Sequence, residues 1–326
     1  MQDQAVQVSQ LVKTYGAHRA VDGVSFQVGR GGVFGVLGPN GAGKSTTLRI
    51  MVGILKPDGG EVALLGGPVS RQGMRRVGYL PEERGLYRSM TPMGILIYLA
   101  RLKGVRADVA RQRAIALLEA HGLGGYAHKR IKALSKGMAQ KVQILGAMIH
   151  EPDLIILDEP FSGLDPVNQQ TVEALIRAQA QAGRTVLFST HVMEHAERMC
   201  DHIVLFARGR AAFCGSMAQA LAAVPRAALL ETEGGFDLAG ALAAHGFTVT
   251  EESASQGVRR WRAGLEAGDA SRRLLAACVS VGAPLTLFEP TKASLHEAFV
   301  RLVGDAASPA DPRKSMGWRA PSPAGA

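Results

Sequence analysis

Apolar and polar residues alternate along the first part of the chain. Between residues 5 and 37 the alternation is broken by turn residues at Tyr15-Gly16 and Asp22-Gly23, a pattern typical of β-strands joined by tight turns. Two further short strands are predicted at residues 61–65 and 77–80. The N-terminal region is therefore expected to form a β-subdomain of antiparallel character.

Apolar strands alternate with helical periodicity from residue 91 onward. The first helix of this part is predicted to begin with Thr91 as N-cap and Pro92 in its first turn. The predicted helices span 91–103, 107–121, 135–150, 166–182 and 193–200, and the strands 154–157, 185–189, 202–207 and 211–214. This alternation predicts a mainly parallel sheet covered by helices, hence an α/β domain over residues 1–218 with a helical subdomain inside it.

The composition changes after Gly215-Ser216, where alanine becomes frequent. Residues 219–304 are predicted to form a small α+β accessory domain of βαββαβ order, followed by a helix at 292–303 with Thr291 as its cap. Residues 305–326 are rich in Ala, Pro, Ser and Gly, which predicts a disordered tail. The predicted elements of the accessory domain are strands 227–231, 247–252, 257–263 and 284–288, and helices 236–245 and 267–281.

Charge and composition limit the classes of partner. The net charge is +9, but aromatic residues make up only 5% and the basic residues are scattered, so no nucleic acid is expected. The positive charge is explained either by a solvated basic face or by contact with anionic lipid headgroups.

The location of the chain is indicated by three further features. No apolar run approaches eighteen residues, no secretory pattern opens the chain, and three widely spaced cysteines indicate free thiols. We therefore expect a cytoplasmic chain.

A glycine-rich stretch carries the strongest chemical signal. It follows an apolar strand, precedes a helix, and fits the phosphate-binding loop of P-loop NTPases. Its glycines let backbone N–H groups face a phosphate, Lys44 brings a positive charge, and the Ser45 hydroxyl is suited to Mg²⁺. The stretch consists of Gly38, Pro39, Asn40, Gly41, Ala42, Gly43, Lys44, Ser45 and Thr46.

Two carboxylates end the apolar strand at 154–157, about 115 residues after the loop. A parallel strand delivers its C-terminal end to the ligand crevice, so Asp158 and Glu159 are expected beside the phosphates. Asp158 is predicted to hold Mg²⁺, directly or through water, and Glu159 to orient the attacking water. Taken alone, the pair could equally be a capped strand end.

Three further motifs complete a family pattern. Leu134-Ser135-Lys136-Gly137-Met138 resembles the signature LSGGQ, Ser162-Gly163-Leu164-Asp165 the D-loop, and Ser189-Thr190-His191 the switch histidine. Together with the two motifs above, residues 5–218 resemble the ATP-binding subunit of an ABC transporter. The resemblance implies an ATPase that uses ATP and Mg²⁺ and acts as a homodimer of ATP-binding subunits.

The resemblance also implies roles for single residues. Ser135 and Gly137 of one copy would face the ATP of the other copy, and His191 would contact the γ-phosphate and hold Glu159. Tyr15 matches the aromatic position that stacks on adenine; a partly buried strand tyrosine is the other interpretation. The family further implies a separate transmembrane permease and a location on the inner face of the cell membrane.

The chain departs from the family pattern at two places. Glu82 stands after the strand at 77–80 where the family commonly has Gln; it could still ligate Mg²⁺, but it adds negative charge near the phosphates. Lys136 and Met138 replace Gly and Gln in the signature, and Lys136 could serve the γ-phosphate or be solvated. These features resemble the sodium-extrusion and drug-export subgroup, which also carries a small C-terminal domain.

Two functions fit this sequence. The first is the energising subunit of an exporter, in which ATP closes a homodimer and hydrolysis reopens it. The alternative is a soluble ABC-type ATPase in translation or DNA repair, which would have tandem nucleotide domains or long coiled-coil insertions. One phosphate loop, and only 53 positions between Glu82 and Ser135, favour the exporter.

Overall fold

The computed structural model describes residues 4–83, 85–255, 257–266 and 270–307. They divide into two compact units, and the division falls between Met217 and Ala218 in the sequence. In the first unit the strands are β1 (Gln4–Tyr15), β2 (His18–Gly29), β3 (Gly32–Leu37), β4 (Gly59–Leu64), β5 (Gly67–Pro68), β6 (Val77–Leu80), β7 (Leu154–Asp158), β8 (Thr185–Thr190), β9 (His202–Ala207) and β10 (Arg210–Ser216). Its helices are α1 (Lys44–Met51), α2 (Pro92–Leu102), α3 (Ala107–Ala120), α4 (Lys136–Met148), α5 (Pro166–Gln181) and α6 (Met193–Met199).

A six-stranded sheet of order β10-β9-β3-β8-β7-β6 forms the centre of this unit. The pairs β9-β3, β3-β8, β8-β7 and β7-β6 are parallel, and β10 joins the edge antiparallel. All residues of β7 and β8 are buried, as expected for strands covered on both faces. The predicted mainly parallel sheet is confirmed.

The predicted antiparallel β-subdomain is also present. It is a four-stranded sheet of order β2-β1-β4-β5, in which every neighbouring pair runs antiparallel. Its inward residues, such as Val8, Leu11 and Phe26, join the core that also contains Leu48 of α1. The helix after the phosphate loop is therefore anchored between two sheets.

Helices α2, α3 and α4 form the helical subdomain. The predicted cap of α2 is confirmed, because the Thr91 hydroxyl accepts the Gly94 N–H at 3.0 Å and Pro92 stands in the first turn. Close packing explains two glycines. A Cβ on Gly146 of α4 would lie 2.6 Å from the Leu99 side chain, and one on Gly78 of β6 would lie 2.0 Å from the Ala147 carbonyl oxygen.

The second unit contains α7 (Met217–Ala222), β11 (Ala227–Glu233), α8 (Leu238–Ala243), β12 (Val249–Ser255), β13 (Val258–Gly264), α9 (Ala270–Ser280), β14 (Leu285–Pro290) and α10 (Leu295–Ala307). Helix α7, which begins at the last residue of the first unit, has no counterpart in the prediction. The βαββαβ order is as predicted, and the sheet order is β12-β13-β11-β14 with antiparallel pairs throughout. Trp261 and Leu230 lie in its core with Leu242 and Leu274.

The last helix differs from the prediction. Ser294, not Thr291, caps it: the Ser294 hydroxyl accepts the Glu297 N–H at 3.2 Å, while the Glu297 carboxylate accepts the Ser294 N–H at 3.1 Å. This reciprocal pair is a capping box. The Thr291 hydroxyl instead donates to the Ala227 carbonyl oxygen. The helix continues to Ala307, past the predicted start of the tail, and residues 308–326 lie outside the described residues.

Candidate functional site: a phosphate loop with a paired carboxylate and histidine

The glycine-rich loop connects the end of β3 to α1, and its backbone requires glycine at two positions. Gly38 has φ 151° and a Cβ there would lie 2.3 Å from the Phe206 carbonyl oxygen; Gly43 has φ 99° and a Cβ would lie 2.5 Å from the Ala20 carbonyl oxygen. Pro39, Asn40 and Gly41 are exposed. The loop therefore presents open backbone at the N-terminus of α1, where a helix favours anions.

Lys44 is buried under the loop. Its ammonium group donates to the carbonyl oxygens of Gly38 at 2.7 Å and Pro39 at 3.1 Å, and its Nζ lies 3.7 Å from Glu159 Oε1. Burial lowers the pKa of Lys44, and the negative charges of Glu159, Asp158 and Glu82 oppose that effect. The ammonium group is thus held in place beneath the loop.

Asp158 ends β7 directly beside Ser45. Its Oδ1 accepts the Ser45 hydroxyl at 3.0 Å and the Ser189 hydroxyl at 2.6 Å. Burial raises the pKa of Asp158, and these two hydrogen bonds oppose the rise. Among the described residues, the buried Oδ2 has no hydrogen-bond partner. Glu82 Oε2 lies 3.5 Å from the Ser45 oxygen.

Glu159 lies in a left-handed turn after β7, with φ 48°, a conformation that costs a non-glycine residue about 1–2 kcal/mol. Its N–H donates to the Ser189 hydroxyl oxygen at 2.9 Å. His191 Nδ1 lies 3.0 Å from one carboxylate oxygen and 3.1 Å from the other. Because carboxylate oxygens accept, this contact requires a proton on His191 Nδ1.

The signature segment begins α4. Ser135 is its N-cap and its hydroxyl accepts the Met138 N–H at 3.2 Å. Gly137 is buried against Asn168, and a Cβ there would lie 2.6 Å from Asn168 Nδ2. The Ser135 side chain is exposed. The signature therefore begins a helix whose N-cap side chain is exposed, while Gly137 packs against Asn168 of the same chain.

Two similarities to known proteins identify the family. A family model for ABC transporters matches residues 21–162. The chain is 34% identical to the ABC transporter ATP-binding protein YxlF of Bacillus subtilis over 300 residues, which is 91% of this chain and 98% of that protein. This chain belongs to the ABC transporter ATP-binding family.

Two other members of the family have names that mention export or resistance. The Nod factor export ATP-binding protein I of Paraburkholderia xenovorans is 38% identical over 213 residues, covering 64% of this chain and 70% of that one. The daunorubicin/doxorubicin resistance ATP-binding protein DrrA of Streptomyces peucetius is 38% identical over 209 residues, 63% of each chain.

A solved structure supports the same fold. The ATP-binding subunit of an ABC transporter superposes with a TM-score of 0.62 at 33% identity, covering 66% of this chain and 91% of that chain. The P-loop α/β fold predicted from the motifs is confirmed. Among the residues of our chain that the structure describes, no helix has both the length and the apolar character that a membrane span requires.

The fold brings together the predicted residues of the phosphate loop and of the two strand ends. Lys44, Ser45, Asp158, Glu159 and His191 form one connected set through the distances given above, with Glu82 at its margin. Thr46 is half-buried in the first turn of α1. Ser135 and Gly137 are not part of this set: in the described residues neither is bonded to the phosphate loop.

Tyr15 occupies the last position of β1, where 47% of the residue is exposed. Lys13 Nζ lies 5.8 Å from the ring centroid and forms an ion pair with Asp58 at 2.8 Å. Asp58 also accepts the Thr14 N–H at 2.7 Å. The backbone beneath the ring is thus held, while the ring itself remains accessible.

Sequence reasoning missed the part played by Ser189. The sequence pattern shows Ser189 only as a neighbour of His191, yet its single hydroxyl donates to Asp158 and accepts from the Glu159 N–H. The signal that could have found it is its place at the end of the strand that pairs with β7. The register places Asp158 opposite Ser189, which sequence alone does not give.

Proposed function

We propose that this chain is the ATP-binding and ATP-hydrolysing subunit of an ABC-type export system. One observation carries the proposal: Lys44, Asp158 and Glu159 converge with His191 at the C-terminal edge of the parallel sheet, directly beside a preformed phosphate loop. The export class rests on the names of the relatives. Residues 1–218 are proposed as the ATP-binding domain and 219–304 as an accessory domain.

ATP would be held from its phosphate end. Backbone N–H groups of residues 38–46 and the N-terminus of α1 would surround the phosphates. Lys44 would exchange its carbonyl partners for phosphate oxygens, since its ammonium group already lies under the loop. The accessible ring of Tyr15 would stack on adenine.

The donor set fits Mg²⁺. Ser45 and Asp158 lie within hydrogen-bond distance, Asp158 Oδ2 is buried without a partner in the described chain, and Glu82 adds a third oxygen donor nearby. Hard cations prefer such oxygen ligands. When bound, the ion would neutralise charge on the phosphates; Ser189 would keep Asp158 oriented toward it.

Hydrolysis would use Glu159 as the base. The carboxylate would accept a proton from water as the water oxygen attacks the γ-phosphorus, and the bond to the ADP oxygen would break to give ADP and phosphate. His191 would hold the carboxylate through Nδ1–H and, when both ring nitrogens carry a proton, would donate from Nε2 to a γ-phosphate oxygen. The half-exposed His191 side chain, 45% accessible, supports that reach.

A second copy would complete the site. Ser135 and Gly137 lie at a helix N-terminus suited to a γ-phosphate, and the Ser135 side chain is exposed and unconnected to the phosphate loop of its own chain. A head-to-tail homodimer would place each signature over the other chain's ATP. Closure with ATP and reopening after hydrolysis would then drive the exporter.

The permease would dock near the segment from Glu82 to Tyr98. Tyr87 and Tyr98 are 59% and 41% exposed, with ring centroids 6.3 Å apart. Exposed aromatic side chains are enriched where proteins bind partners. The partner would be a separate transmembrane subunit, so the chain would act at the inner face of the cell membrane as a peripheral component.

Isolation of the chain from membranes tests this proposal. A tagged chain should co-purify with a multi-span membrane protein after detergent extraction, and the amount should fall when Tyr87 and Tyr98 are both changed to Ala. Recovery of ribosomes or DNA in place of a permease would favour the alternative, a soluble ABC-type ATPase in translation or DNA repair.

A further inference from the structure

A buried glutamine joins the signature helix to the turn that carries Glu159. Gln140 lies on α4, five positions after Ser135, and is only 5% exposed. Its Nε2 donates to the Pro160 carbonyl oxygen at 3.1 Å. Pro160 follows Glu159 directly, so the bond connects the signature helix to the turn at Glu159.

The turn depends on contacts from several sides. Glu159 is left-handed, its N–H donates to Ser189, and its carbonyl oxygen accepts the Ser162 N–H at 3.1 Å. A strained backbone of this kind persists only where its surroundings fix it. Gln140 supplies a contact from the helical subdomain.

We propose that Gln140 is a positioning residue that couples the signature helix to the catalytic turn of the same chain. The inference rests on the proposed function, in which Ser135 and Gly137 serve ATP held by a second copy. A helix rises about 1.5 Å per residue, so Ser135 and Gln140 are about 7.5 Å apart along the axis. Movement of α4 on contact with that ATP is then transmitted to Glu159, and each carboxylate responds to occupancy of the other site.

The full chain with Gln140→Met tests the bond, because Met has similar volume and no donor. The matched control is Gln143→Met: Gln143 lies three positions further on the same helix, is 8% exposed, and is not bonded to this turn. We expect Gln140→Met to lower kcat about tenfold or more, since small misplacements of catalytic groups have effects of this size. The ATP concentration that gives half of the maximal rate should stay within about twofold of the wild-type value, because the phosphate loop is unchanged.

Gln140→Glu gives a readout that a structural role alone would not produce. The new carboxyl group can donate to the Pro160 oxygen when protonated but not when ionised. Its burial favours the neutral form. The ratio of variant to wild-type kcat should therefore rise as the pH falls, whereas Gln143→Met should give a flat ratio.

Cooperativity tests the link between copies. Wild type should show a Hill coefficient above 1 for ATP, and Gln140→Met should bring it toward 1. A wild-type Hill coefficient of 1 would overturn the coupling between the two copies. A lower kcat in Gln140→Met with an unchanged Hill coefficient would overturn it as well. Equal kcat for the Gln140 and Gln143 variants together with a flat pH ratio would overturn the positioning role itself.

Failure of the inference is distinguishable from failure of the proposed function. Wild-type ATP hydrolysis and an ATP-dependent dimer of Glu159→Gln test the proposed function in the same preparations. If both are seen while the Gln140 variants match the control, only the inference fails. If the thermal melt shows that Gln140→Met does not fold, the pH dependence of kcat in Gln140→Glu tests the positioning role instead, because glutamate keeps the shape of the side chain.

Discussion

His191 Nδ1 lies 3.0 Å from Glu159 Oε1, although the two residues are far apart in sequence. They follow β8 and β7, which pair in parallel register, so the sheet places both at one edge. The imidazole contacts both carboxylate oxygens and restricts the rotation of the carboxylate. The carboxylate and the imidazole are thus held in a defined mutual orientation.

Glu159→Gln should abolish turnover while ATP binding persists. The amide keeps the shape of the side chain but is a poor proton acceptor, and loss of a general base typically lowers rates about 100-fold or more. Phosphate release measures the loss, and sedimentation velocity with ATP and Mg²⁺ measures the dimer. Turnover at the normal rate would show that Glu159 is not the base.

Lys44→Ala should weaken nucleotide binding itself. The ammonium group is buried beneath the loop, and charge-assisted bonds to phosphate are the strong ones, so we expect a loss of affinity of about tenfold or more. Titration with a fluorescent ATP analogue measures it. Lys56→Ala is the control, since Lys56 is exposed outside the loop; equal affinities for the two variants would contradict the role of Lys44.

Tyr15→Ala should weaken ATP binding by about 1–3 kcal/mol, by analogy with bases stacked on aromatic rings. Tyr15→Trp should retain affinity because its ring also stacks. Calorimetric titration of the three proteins separates the two interpretations of Tyr15. An unchanged affinity in Tyr15→Ala would favour a residue that only completes strand β1.

Acidification should destabilise the first unit through His150. Burial lowers the pKa of His150 to about 4, and the nearby charge of Lys103 acts in the same direction. An unfolded histidine titrates near 6.5, so between pH 6.5 and 4 the unfolded chain binds a proton that the folded chain does not. Above pH 6.5 this histidine contributes no pH dependence. As the pH falls below it, the free energy of unfolding should drop by up to about 3 kcal/mol.

Denaturant titrations from pH 8 to 4 measure this effect. His150→Gln retains a donor for the Val77 carbonyl oxygen, which His150 Nε2 contacts at 3.2 Å, and should lose less stability over this range. His128→Gln is the control, since His128 is exposed, and it should follow wild type. Parallel curves for all three proteins would contradict the prediction.

Thr232→Val should destabilise the second unit. The Trp261 indole N–H donates to the Thr232 hydroxyl oxygen at 2.9 Å, and the two residues are 2% and 0% exposed. Valine has the same shape but leaves the indole N–H without its acceptor, which costs about 1–3 kcal/mol. Thr232→Ser keeps the hydroxyl and preserves the bond. Unfolding followed by tryptophan fluorescence compares them, and equal losses would contradict the role of the bond.

The sequence allowed prediction of most elements because their signals are local. Thr91 and Pro92 mark a helix start within four residues, and the apolar run 154–157 is read directly as a buried strand. The cap at Ser294 was mistaken for Thr291 because both hydroxyls precede the helix, and only the backbone geometry decides between them. Ser189 and Gln140 were missed for a different reason: their partners lie 31 and 20 positions away, and tertiary packing alone brings them together.

The left-handed backbone at Glu159 sets folding stability against the catalytic role proposed for the same residue. Glycine adopts this conformation at no steric cost, and asparagine adopts it more readily than glutamate. A selection for thermostable variants that ignored turnover would therefore favour glycine or asparagine there and discard the carboxylate. Engineering of this chain for robustness requires an activity screen alongside each thermal one.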